Sequence, residues 1–354
     1  MCLAFRLLYA LAALVLGVCC VRPVHALPYS ALYVFGDSLS DVGNDLIITG
    51  GALPAQGVYT DGISTGRFTN GQNYIDRLAS SLGVSAAPSL AGGNNYAYGG
   101  ARTTYVTPGL VPFGGLSFNQ QITAYTSTHT AADPNAVYVL WIGANDMADA
   151  IRAAAANPAN ANSIIGAAIT SAMSGIGSAI GNLSSRGVQH FLVPNLPDLS
   201  RIPLIAGFNN NLLTGLAHNA SVAFNQNLAG TLDLGVFSGL DIRDLNIYSA
   251  LNGVLSNPGA NGFTNVASAC YTGEVDGTPL PPGSLIPPTI CANPSGYVFW
   301  DYEHPTEAVH AIVASLALSV VLPEPPTWTL MLAIIGVIAL TRHRQGSFCL
   351  RRLE

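Results

Sequence analysis

Short apolar runs rich in β-branched and aromatic residues alternate with longer helix-compatible stretches through most of this chain. The runs predict four strands, at residues 31–35, 136–142, 190–194 and 235–242. The stretches predict helices at residues 74–82, 148–156, 163–185, 213–232 and 306–318. Strands separated by helices form parallel βαβ units, so the pattern predicts a three-layer α/β/α sandwich with a central parallel sheet. Ligands of such sheets bind beyond the carboxyl ends of the strands.

The composition limits the possible functions. The chain has 354 residues, of which 49% are hydrophobic, enough to bury one large core and to exclude a disordered protein. It contains no Lys, which excludes Ser-Lys hydrolases, lysine Schiff bases and the Walker lysine. Between residues 27 and 322, seven Arg stand against 17 Asp and Glu. Nucleic acid is therefore not expected as a partner, because phosphate contacts need a basic face.

The amino-terminal segment has the features of a secretory signal peptide. Arg6 precedes an apolar run over residues 7–21, and Val24-His25-Ala26 offers a small-residue cleavage site. The run is shorter than the roughly 20 residues that span a bilayer, so a short membrane anchor is the less favoured alternative. We expect residues 1–26 to be a signal peptide and residues 27–320 to form the catalytic domain.

The carboxyl-terminal segment, residues 321–354, resembles the PEP-CTERM sorting signal of Gram-negative bacteria. Pro323-Glu324-Pro325 precedes an apolar stretch over residues 329–340, and Arg342-His343-Arg344 follows it. The resemblance implies an exosortase-type sorting enzyme as partner and membrane contact only through the terminal segments. It also implies export to the cell surface or beyond. A plain carboxyl-terminal anchor is the alternative, and residues 345–354 depart from the usual ending.

Cysteine usage agrees with export. Outside the two terminal segments only Cys270 and Cys291 remain, 21 positions apart. In an exported chain such a pair most simply forms one disulfide, worth roughly 3 kcal/mol by loop-closure arguments. A zinc site is disfavoured, because no further His or Cys lies near enough in sequence to complete one.

Two distant segments supply the parts of an activated serine nucleophile. Ser38 directly follows the first predicted strand, in Gly36-Asp37-Ser38, where glycine allows a tight turn. Asp301 and His304 form an Asp-x-x-His pair near the other end of the domain. A hydroxyl needs an imidazole to take its proton and a carboxylate to hold that imidazole in the right tautomer. A helix cap is the alternative role for Ser38.

Two further segments end in residues that could donate hydrogen bonds to substrate. Gly99-Gly100 follows Asn95-Tyr96-Ala97-Tyr98 and could aim a backbone N–H at the site, although an ordinary turn is the favoured explanation of this segment taken alone. Asn145 follows the second predicted strand, in Gly143-Ala144-Asn145-Asp146. Its carboxamide could serve catalysis or cap the next helix.

These four blocks, in this order, resemble the signature of the GDSL or SGNH hydrolases, a family with a flavodoxin-like α/β/α fold. The matching positions are Ser38, Gly100, Asn145 and Asp301 with His304. Further similarity lies in segments 66–71, 193–198 and 262–266, so the resemblance covers nearly all of residues 30–318.

The resemblance implies a role for each matched residue. Ser38 would attack the ester carbonyl, His304 would carry the proton and Asp301 would orient His304. The backbone N–H groups of Ser38 and Gly100 and the Asn145 amide would form the oxyanion hole. Of the two adjacent glycines, the match of the sequence blocks favours Gly100 over Gly99 as the donor. No metal and no cofactor are implied. Supporting rather than catalytic roles are expected for the neighbouring polar residues Asp37, Asp41, Asn44 and Asp146.

Other chemistry-bearing residues are expected to be structural. Ser64 lies in Gly62-Ile63-Ser64-Thr65-Gly66, which fits the G-x-S-x-G elbow, but no apolar strand precedes it. The remaining histidines of the domain lack evident partners in the sequence: His129, His190, His218 and His310.

The sequence thus predicts an exported carboxylic ester hydrolase. An acyltransferase that uses the same acyl-enzyme is a close variant, and a non-catalytic surface-binding protein on the same fold is the alternative from another class. Lipid, short-chain and acetylated-glycan esters all remain open as substrates.

Overall fold

The computed structural model describes residues 29–105, 115–274, 280–282, 284 and 287–322. The predicted signal peptide, the Pro323-Glu324-Pro325 motif, the apolar stretch 329–340 and the basic cluster after it lie outside the described residues.

A parallel sheet of four strands forms the centre of the molecule. The strands are β1 (Leu32–Gly36), β2 (Val137–Trp141), β3 (His190–Pro194) and β4 (Asp241–Leu245), in the spatial order β1-β2-β3-β4. An extended segment around Asn95 pairs in parallel with the free edge of β1, where Tyr96 N donates to Val34 O at 2.7 Å. The predicted central parallel sheet is confirmed.

Helices cover both faces of the sheet and complete the three layers. Their bounds, in chain order, are α1 (Asn44–Ile48), α2 (Tyr74–Leu82), α3 (Phe118–Thr128), α4 (Ala144–Ala156), α5 (Ala161–Ser184), α6 (Pro203–Ala206), α7 (Asn211–Leu232), α8 (Ile247–Ser256) and α9 (Glu307–Val321). Helices α3, α4, α5 and α7 pack into the hydrophobic core on one face. Helices α2, α8 and α9 pack into the core on the other face.

The strands differ in polarity according to their place in the sheet. All of β2 is buried, because helices cover both of its faces and strands flank it on both sides. The edge strand β4 carries Asp241, Arg243 and Asp244, and only Leu245 is fully buried. Most of the predicted strand at 235–242 is therefore wrong. Its apolar part forms a 3₁₀ turn over Gly235–Phe237, which buries Phe237 against the core.

Helix α5 lies in a segment, Pro158–Ser184, that is long and apolar enough to span a membrane by length and composition. Its large apolar side chains, among them Ile165, Ile169, Ile176 and Ile180, are buried in the core beneath the sheet. Core packing accounts for these isoleucines.

A second, two-stranded parallel sheet was not predicted. It consists of β5 (Asn265–Ala269) and β6 (Tyr297–Phe299). Directly after β6 the chain turns back on itself, with Phe299 bridging Pro305 and Trp300 N donating to His304 O at 2.8 Å. This turn carries the Asp-x-x-His pair.

Candidate active site

Three predicted site residues lie at the carboxyl ends of neighbouring parallel segments. Ser38 follows β1, and Asn145 lies in the first turn of α4, directly after β2. Gly100 follows the extended segment on the other side of β1, where Tyr98 N donates to Gly36 O at 3.3 Å. Because parallel segments end at the same edge of a sheet, the fold brings all three positions to one place.

The end of β1 is held by a buried carboxamide. Gln121 accepts from Gly36 N at 2.9 Å and donates to Gly36 O at 2.8 Å, as a further strand would. The chain then turns tightly, with the backbone N–H groups of Ser40 and Asp41 both donating to Asp37 O at 3.0 Å. The backbone of Ser38 is therefore held on both sides, by the end of β1 before it and by the tight turn after it.

His304 lies within hydrogen-bond distance of Ser38 and of Asp301. Its Nε2 is 2.8 Å from Ser38 Oγ, and its Nδ1 is 2.8 Å from Asp301 Oδ2. Because an ionised carboxylate can only accept, Nδ1 carries the proton and Nε2 is left to accept from the serine hydroxyl. This is the arrangement that general-base activation of a serine requires.

Asp301 is fully buried and accepts hydrogen bonds on both oxygens. Oδ1 receives the backbone N–H groups of Glu303 and His304, each at 2.7 Å. Oδ2 receives His304 Nδ1 and, at 2.9 Å, the hydroxyl of Tyr59. Burial, followed by the charge of Asp301, raises the pKa of Tyr59, so this hydroxyl stays protonated and acts as a donor.

Gly100 lies in a turn that an arginine clamps from behind. Its φ of +68° is in the left-handed region, which glycine adopts without steric cost. Arg102 donates to Gly100 O at 2.6 Å and makes a two-pronged ion pair with Asp149, at 2.9 and 3.0 Å. The Arg102 side chain is 5% exposed, so the clamp is shielded from solvent.

Helix α4 holds the rest of this turn through two side chains. Asn145 Nδ2 donates to Ala101 O at 3.0 Å, and Asp146 accepts from both the backbone N–H and the hydroxyl of Thr103. The helix starts at Ala144 with Gly143 as its N-cap residue and no side-chain cap, so Asn145 does not cap it. One of the two amide N–H bonds of Asn145 remains for another acceptor.

A network of buried polar side chains lies under the Ser38 turn. Asp41 accepts from the backbone N–H groups of Gly43, Asn44 and Asp45, at 2.8 to 3.1 Å. Asn44 in turn donates to the backbone carbonyls of Asn95 and Ala97, at 2.8 and 2.9 Å. The network ties the Ser38 turn to the segment that leads to Gly100.

Burial raises the pKa values of three acids around the site. Burial, followed by the charge of Asp41, raises the pKa of Asp45 to about 9, so Asp45 is protonated at neutral pH. Its Oδ1 is buried and has no hydrogen-bond partner among the described residues. Burial also raises the pKa values of Asp37 and Asp146 to about 6.

An apolar cavity of about 320 Å³ opens beside Ser38, Asn145 and His304. Most of its wall is aliphatic and comes from helices α4, α8 and α9 and from the segment between β3 and α7. Alanines at positions 144, 148, 155 and 250 form part of this wall. The volume lies in the range of small-molecule sites in proteins.

Cys270 and Cys291 form a disulfide, with an S–S distance of 1.97 Å. Cys270 packs in a cluster with Tyr59 and Trp300, the residue directly before Asp301. Backbone hydrogen bonds join the same regions, from Cys270 N to Phe299 O at 3.1 Å and from Tyr271 N to Trp300 O at 2.6 Å. The crosslink therefore lies next to the loop that carries Asp301 and His304.

The residues expected to be structural lie apart from this site. Ser64 sits in a short loop beside Ile63, which is 90% exposed, and its backbone N–H donates to Asp61. His310 is buried, and its Nδ1 accepts from Tyr74 N at 3.3 Å. The other three pair with neighbours at the surface: His129 stacks on Tyr125, His190 pairs with Asp241 and His218 pairs with Asp198.

Sequence reasoning missed three side chains that hold the site, namely Tyr59, Arg102 and Gln121. Each of the three contacts a residue that the sequence motifs identified, but no motif predicts the contact itself. Tyr59 reaches Asp301 across 242 positions of sequence. Arg102, two residues after Gly100, was the one close enough in sequence to be found.

Among the described residues, no group of three or more His, Cys, Asp or Glu side chains could hold a metal ion.

Comparison with known proteins identifies the family of this chain. The family model of GDSL-like lipases and acylhydrolases matches residues 32–317. A GDSL esterase/lipase from Arabidopsis thaliana is 30% identical over 322 residues, which cover 81% of this chain and 90% of that protein. Lipase 1 from Photorhabdus luminescens is 35% identical over 203 residues, which cover 57% of this chain and 27% of that protein.

Among solved structures, the lipase Lip_vut3 from a goat rumen metagenome aligns with a TM-score of 0.43 and 10% identity. The alignment covers 83% of this chain and 99% of that one. The family match takes in all four sequence blocks and nearly the whole sheet-and-helix domain. The chain therefore belongs to the GDSL-like lipase/acylhydrolase family and is a carboxylic ester hydrolase.

Proposed function

We propose that this enzyme hydrolyses esters of apolar acyl groups through an acyl-enzyme on Ser38. The observation that carries the proposal is the unbroken hydrogen-bond chain from Ser38 through His304 to Asp301, set against an apolar cavity. The hydrogen-bond chain would activate Ser38 as a nucleophile, and the cavity suits the hydrocarbon part of a substrate.

In the first half of the reaction, Ser38 Oγ attacks the ester carbonyl carbon while His304 Nε2 takes the hydroxyl proton. Asp301 stabilises the imidazolium that forms. When the tetrahedral intermediate collapses, the bond to the alcohol oxygen breaks, and His304 returns the proton to that oxygen. The acyl group stays on Ser38 as an ester.

The negative charge on the carbonyl oxygen is met by three donors. They are the backbone N–H groups of Ser38 and Gly100 and the second amide N–H of Asn145, since the first donates to Ala101 O. Donors held in place before the reaction stabilise the charge without reorganising. The Arg102 clamp and the α4 contacts supply that rigidity.

In the second half, water replaces the alcohol. His304 takes a proton from the water as its oxygen attacks the acyl carbon, and collapse of the intermediate breaks the bond to Ser38 Oγ. His304 returns the proton to Ser38, and the carboxylic acid leaves. Interception of the same acyl-enzyme by another alcohol would give acyl transfer.

The cavity favours one of the open substrate classes. An acetyl group would leave most of the aliphatic wall unfilled, whereas each methylene buried there contributes about 0.8 kcal/mol. We therefore expect esters of medium-chain and long-chain acids to be preferred over acetylated glycans. A panel of p-nitrophenyl esters from acetate to palmitate, with an acetylated glycan beside it, tests the preference through kcat/KM. Highest activity on the glycan would contradict it.

The nucleophile is tested by covalent labelling. A fluorophosphonate probe should label Ser38, and Ser38→Ala should abolish labelling and hydrolysis. Ser64→Ala serves as the matched control, because Ser64 is the other serine in a catalytic-type motif, and it should keep both. Labelling at Ser64 would overturn the assignment.

We further propose that the enzyme acts outside the cytoplasm of a Gram-negative bacterium. Residues 1–26 would be removed as a signal peptide, and an exosortase-type enzyme would recognise residues 321–354. The Cys270–Cys291 disulfide supports an oxidising compartment. Protein isolated from its own host should lack both terminal segments by intact mass. A mass that includes Cys349 and Glu354 would mean that the tail is retained.

Catalysis should not need the tail, because α9 ends at Val321 and closes the described domain. A protein of residues 27–321 should therefore be soluble and hydrolyse the same esters as the full chain. Loss of folding on truncation would contradict the proposed domain boundary.

A further inference from the structure

A stripe of four residues on helix α4 lines the cavity beside Ser38. They follow one another at spacings of three, four and three positions, which places them on one face of the helix: Asn145, Ala148, Arg152 and Ala155. Asn145 and Arg152 are seven positions apart, which is about 10 Å along the helix axis. The stripe therefore begins at the proposed oxyanion donor and carries a positive charge two turns further on.

Arg152 lies where the cavity meets solvent. Its side chain lines the cavity and is nevertheless 44% exposed. A guanidinium stays protonated throughout the pH range of enzymes, and it offers five N–H donors in one plane. Among the described residues that line the cavity, Arg152 is the one arginine, and the chain contains no lysine. A permanent cation thus borders a wall that is mostly aliphatic.

The carboxylate that pairs with Arg152 is shared with a second guanidinium. Asp149 accepts from Arg152 at 2.6 Å and from two N–H groups of Arg102 at 2.9 and 3.0 Å. The side chain of Arg102 is 5% exposed, so it depends on this carboxylate and not on water for its charge partner. Within this group of three, one carboxylate stands against two guanidinium groups, and one positive charge is left unbalanced.

Acidic side chains lie at the other end of the cavity. Asp37 and Glu303 line it where they directly precede Ser38 and His304 in the chain. An anionic group of a substrate would be repelled there and attracted at the position of Arg152. The wall between the two ends is aliphatic. The cavity therefore suits a molecule whose hydrocarbon part separates the ester from a negative charge.

We propose that Arg152 binds an anionic group of the substrate, and that the enzyme prefers esters that carry a carboxylate or a phosphate about 10 Å from the scissile carbonyl. Both anions match the planar fork of a guanidinium. Because Arg152 is partly exposed, the anion keeps much of its hydration. This proposal rests on the proposed function and adds a charged group to its substrate class.

The first arm of the test places the anion on the acid. The substrates are monomethyl esters of dicarboxylic acids from succinic to sebacic, each paired with the methyl ester of the ω-hydroxy acid of the same length. The two members of a pair differ in a carboxylate against a hydroxyl, at pH 8, where the carboxyl group is ionised. The measured quantity is the ratio of kcat/KM for the anionic and the neutral member.

The second arm places the anion on the alcohol. Dihexanoyl phosphatidic acid is compared with dihexanoylglycerol, which has the same two ester bonds and a hydroxyl in place of the phosphate. The ratio of kcat/KM is measured in the same way. An Arg152-dependent gain in either arm supports the proposal, and the arm that shows it identifies the source of the anion.

The ratio should depend on the distance between the two ends of the substrate. In the dicarboxylic series it should rise to about tenfold for the longest members, the effect of one charge-assisted contact. The succinate ester should show no gain, because its carboxylate stays beside Asp37 and Glu303. Arg152→Gln should abolish the gain and Arg152→Lys should keep part of it. Sodium chloride at 1 M should reduce the gain of the wild type, since it shortens the Debye length to about 3 Å.

Arg201 provides the matched control. It is exposed and does not line the cavity, although it lies in the short turn Leu199–Arg201, whose first residue does. Arg201→Gln changes the net charge by the same amount as Arg152→Gln and should leave the ratios of both arms as in the wild type. Ratios are compared because Arg152 also contacts Asp149, and any disturbance of the clamp behind Gly100 affects both members of a pair.

Three results would overturn the assignment of Arg152. The ratios of both arms could be the same in the wild type and in Arg152→Gln, Arg201→Gln could lose the gain equally, or the succinate ester could gain as much as the sebacate ester. Failure of the proposed function looks different, because Ser38 would then resist the fluorophosphonate probe and no ester of either arm would be hydrolysed.

Discussion

The two halves of the proposed catalytic centre are built in different ways. Ser38 lies on the main sheet, where Gln121 holds the end of β1 and buried backbone contacts hold the turn. His304 and Asp301 lie on a loop after the small second sheet, supported by Tyr59, by aromatic packing and by the neighbouring disulfide. Ser38, the proposed nucleophile, is positioned by local backbone geometry, and His304, its proposed base, is positioned by contacts between distant side chains.

This difference predicts different sensitivities. On the serine side, several independent backbone contacts share the task, so loss of one side chain should weaken catalysis in part. On the histidine side, a single carboxylate makes four hydrogen bonds, and its loss should be far more costly. Four substitutions test the contrast, in order of decreasing expected effect.

Asp301→Asn should lower kcat by about 10⁴. Asp301 accepts on both oxygens, whereas an amide has only one acceptor oxygen, so either the backbone donors or His304 must face an N–H group. Steady-state kinetics measure the loss. Asp133→Asn, at the amino-terminal edge of the sheet, is the control and should keep wild-type kcat. A modest loss in Asp301→Asn would remove the contrast between the two halves.

Asn145→Ala should lower kcat by roughly 10² to 10³, the usual cost of one oxyanion donor, with a smaller change in KM. The α4 helix should still form, because Gly143 and not Asn145 occupies its N-cap position. The split between kcat and KM separates this role from a structural one. Unchanged kcat in a folded variant would leave Asn145 as a tether for Ala101 alone.

Tyr59→Phe should lower kcat/KM by about tenfold and move the acidic limb of its pH profile to higher pH. The hydroxyl withdraws charge from Asp301, so without it Asp301 stabilises protonated His304 more, and the active neutral form needs a higher pH.

Tyr125→Phe is the matched control for Tyr59→Phe, because it also removes a buried hydroxyl that hydrogen-bonds at 2.8 Å, here to Tyr138 away from the site. It should leave the pH profile unchanged. A lower activity in Tyr59→Phe without any shift of the acidic limb would make Tyr59 a packing residue only.

Asp45→Asn should have the smallest effect on rate and a clear effect on the pH dependence of stability. The pKa of Asp45 is raised from 3.8 to about 9. Its favourable contribution to the free energy of unfolding is therefore fully present below pH 4 and is lost as pH rises through 9. Asparagine cannot ionise, so the variant should gain stability relative to wild type between pH 5 and pH 9. Urea unfolding across this range measures it, and parallel curves would contradict the assignment.

The same contrast explains what could be predicted from the sequence. Ser38, Gly100 and Asn145 each follow an extended segment, and such boundaries leave local patterns of apolar and turn residues. The Asp-x-x-His spacing of Asp301 and His304 could also be recognised in the sequence. The contact of Tyr59 with Asp301 could not be predicted, because the two residues are 242 positions apart. Only the tertiary fold brings them together, and the sequence around each residue carries no sign of the contact.

The errors in the fold have a similar cause. Periodicity identified β2, whose five residues are all buried, but it started the fourth strand at residue 235 instead of Asp241, because the first residues of β4 are polar and Asp241 and Arg243 pair with each other at the sheet edge. It also placed the start of α4 at residue 148 instead of Ala144, because Asn145 and Asp146 look like turn residues. Their polar side chains are used to hold the segment from Ala101 to Thr103.

The cavity walls and the reacting groups come from different parts of the chain. Ser38 follows the end of β1 and Asn145 lies in the first turn of α4, whereas Ala148 and Ala250 line the cavity further along helices α4 and α8. A mutation in the wall therefore changes which molecules fit without moving the atoms that react. Substrate preference can therefore change in evolution through single substitutions in the wall, while the hydrogen-bonded Ser38, His304 and Asp301 are retained.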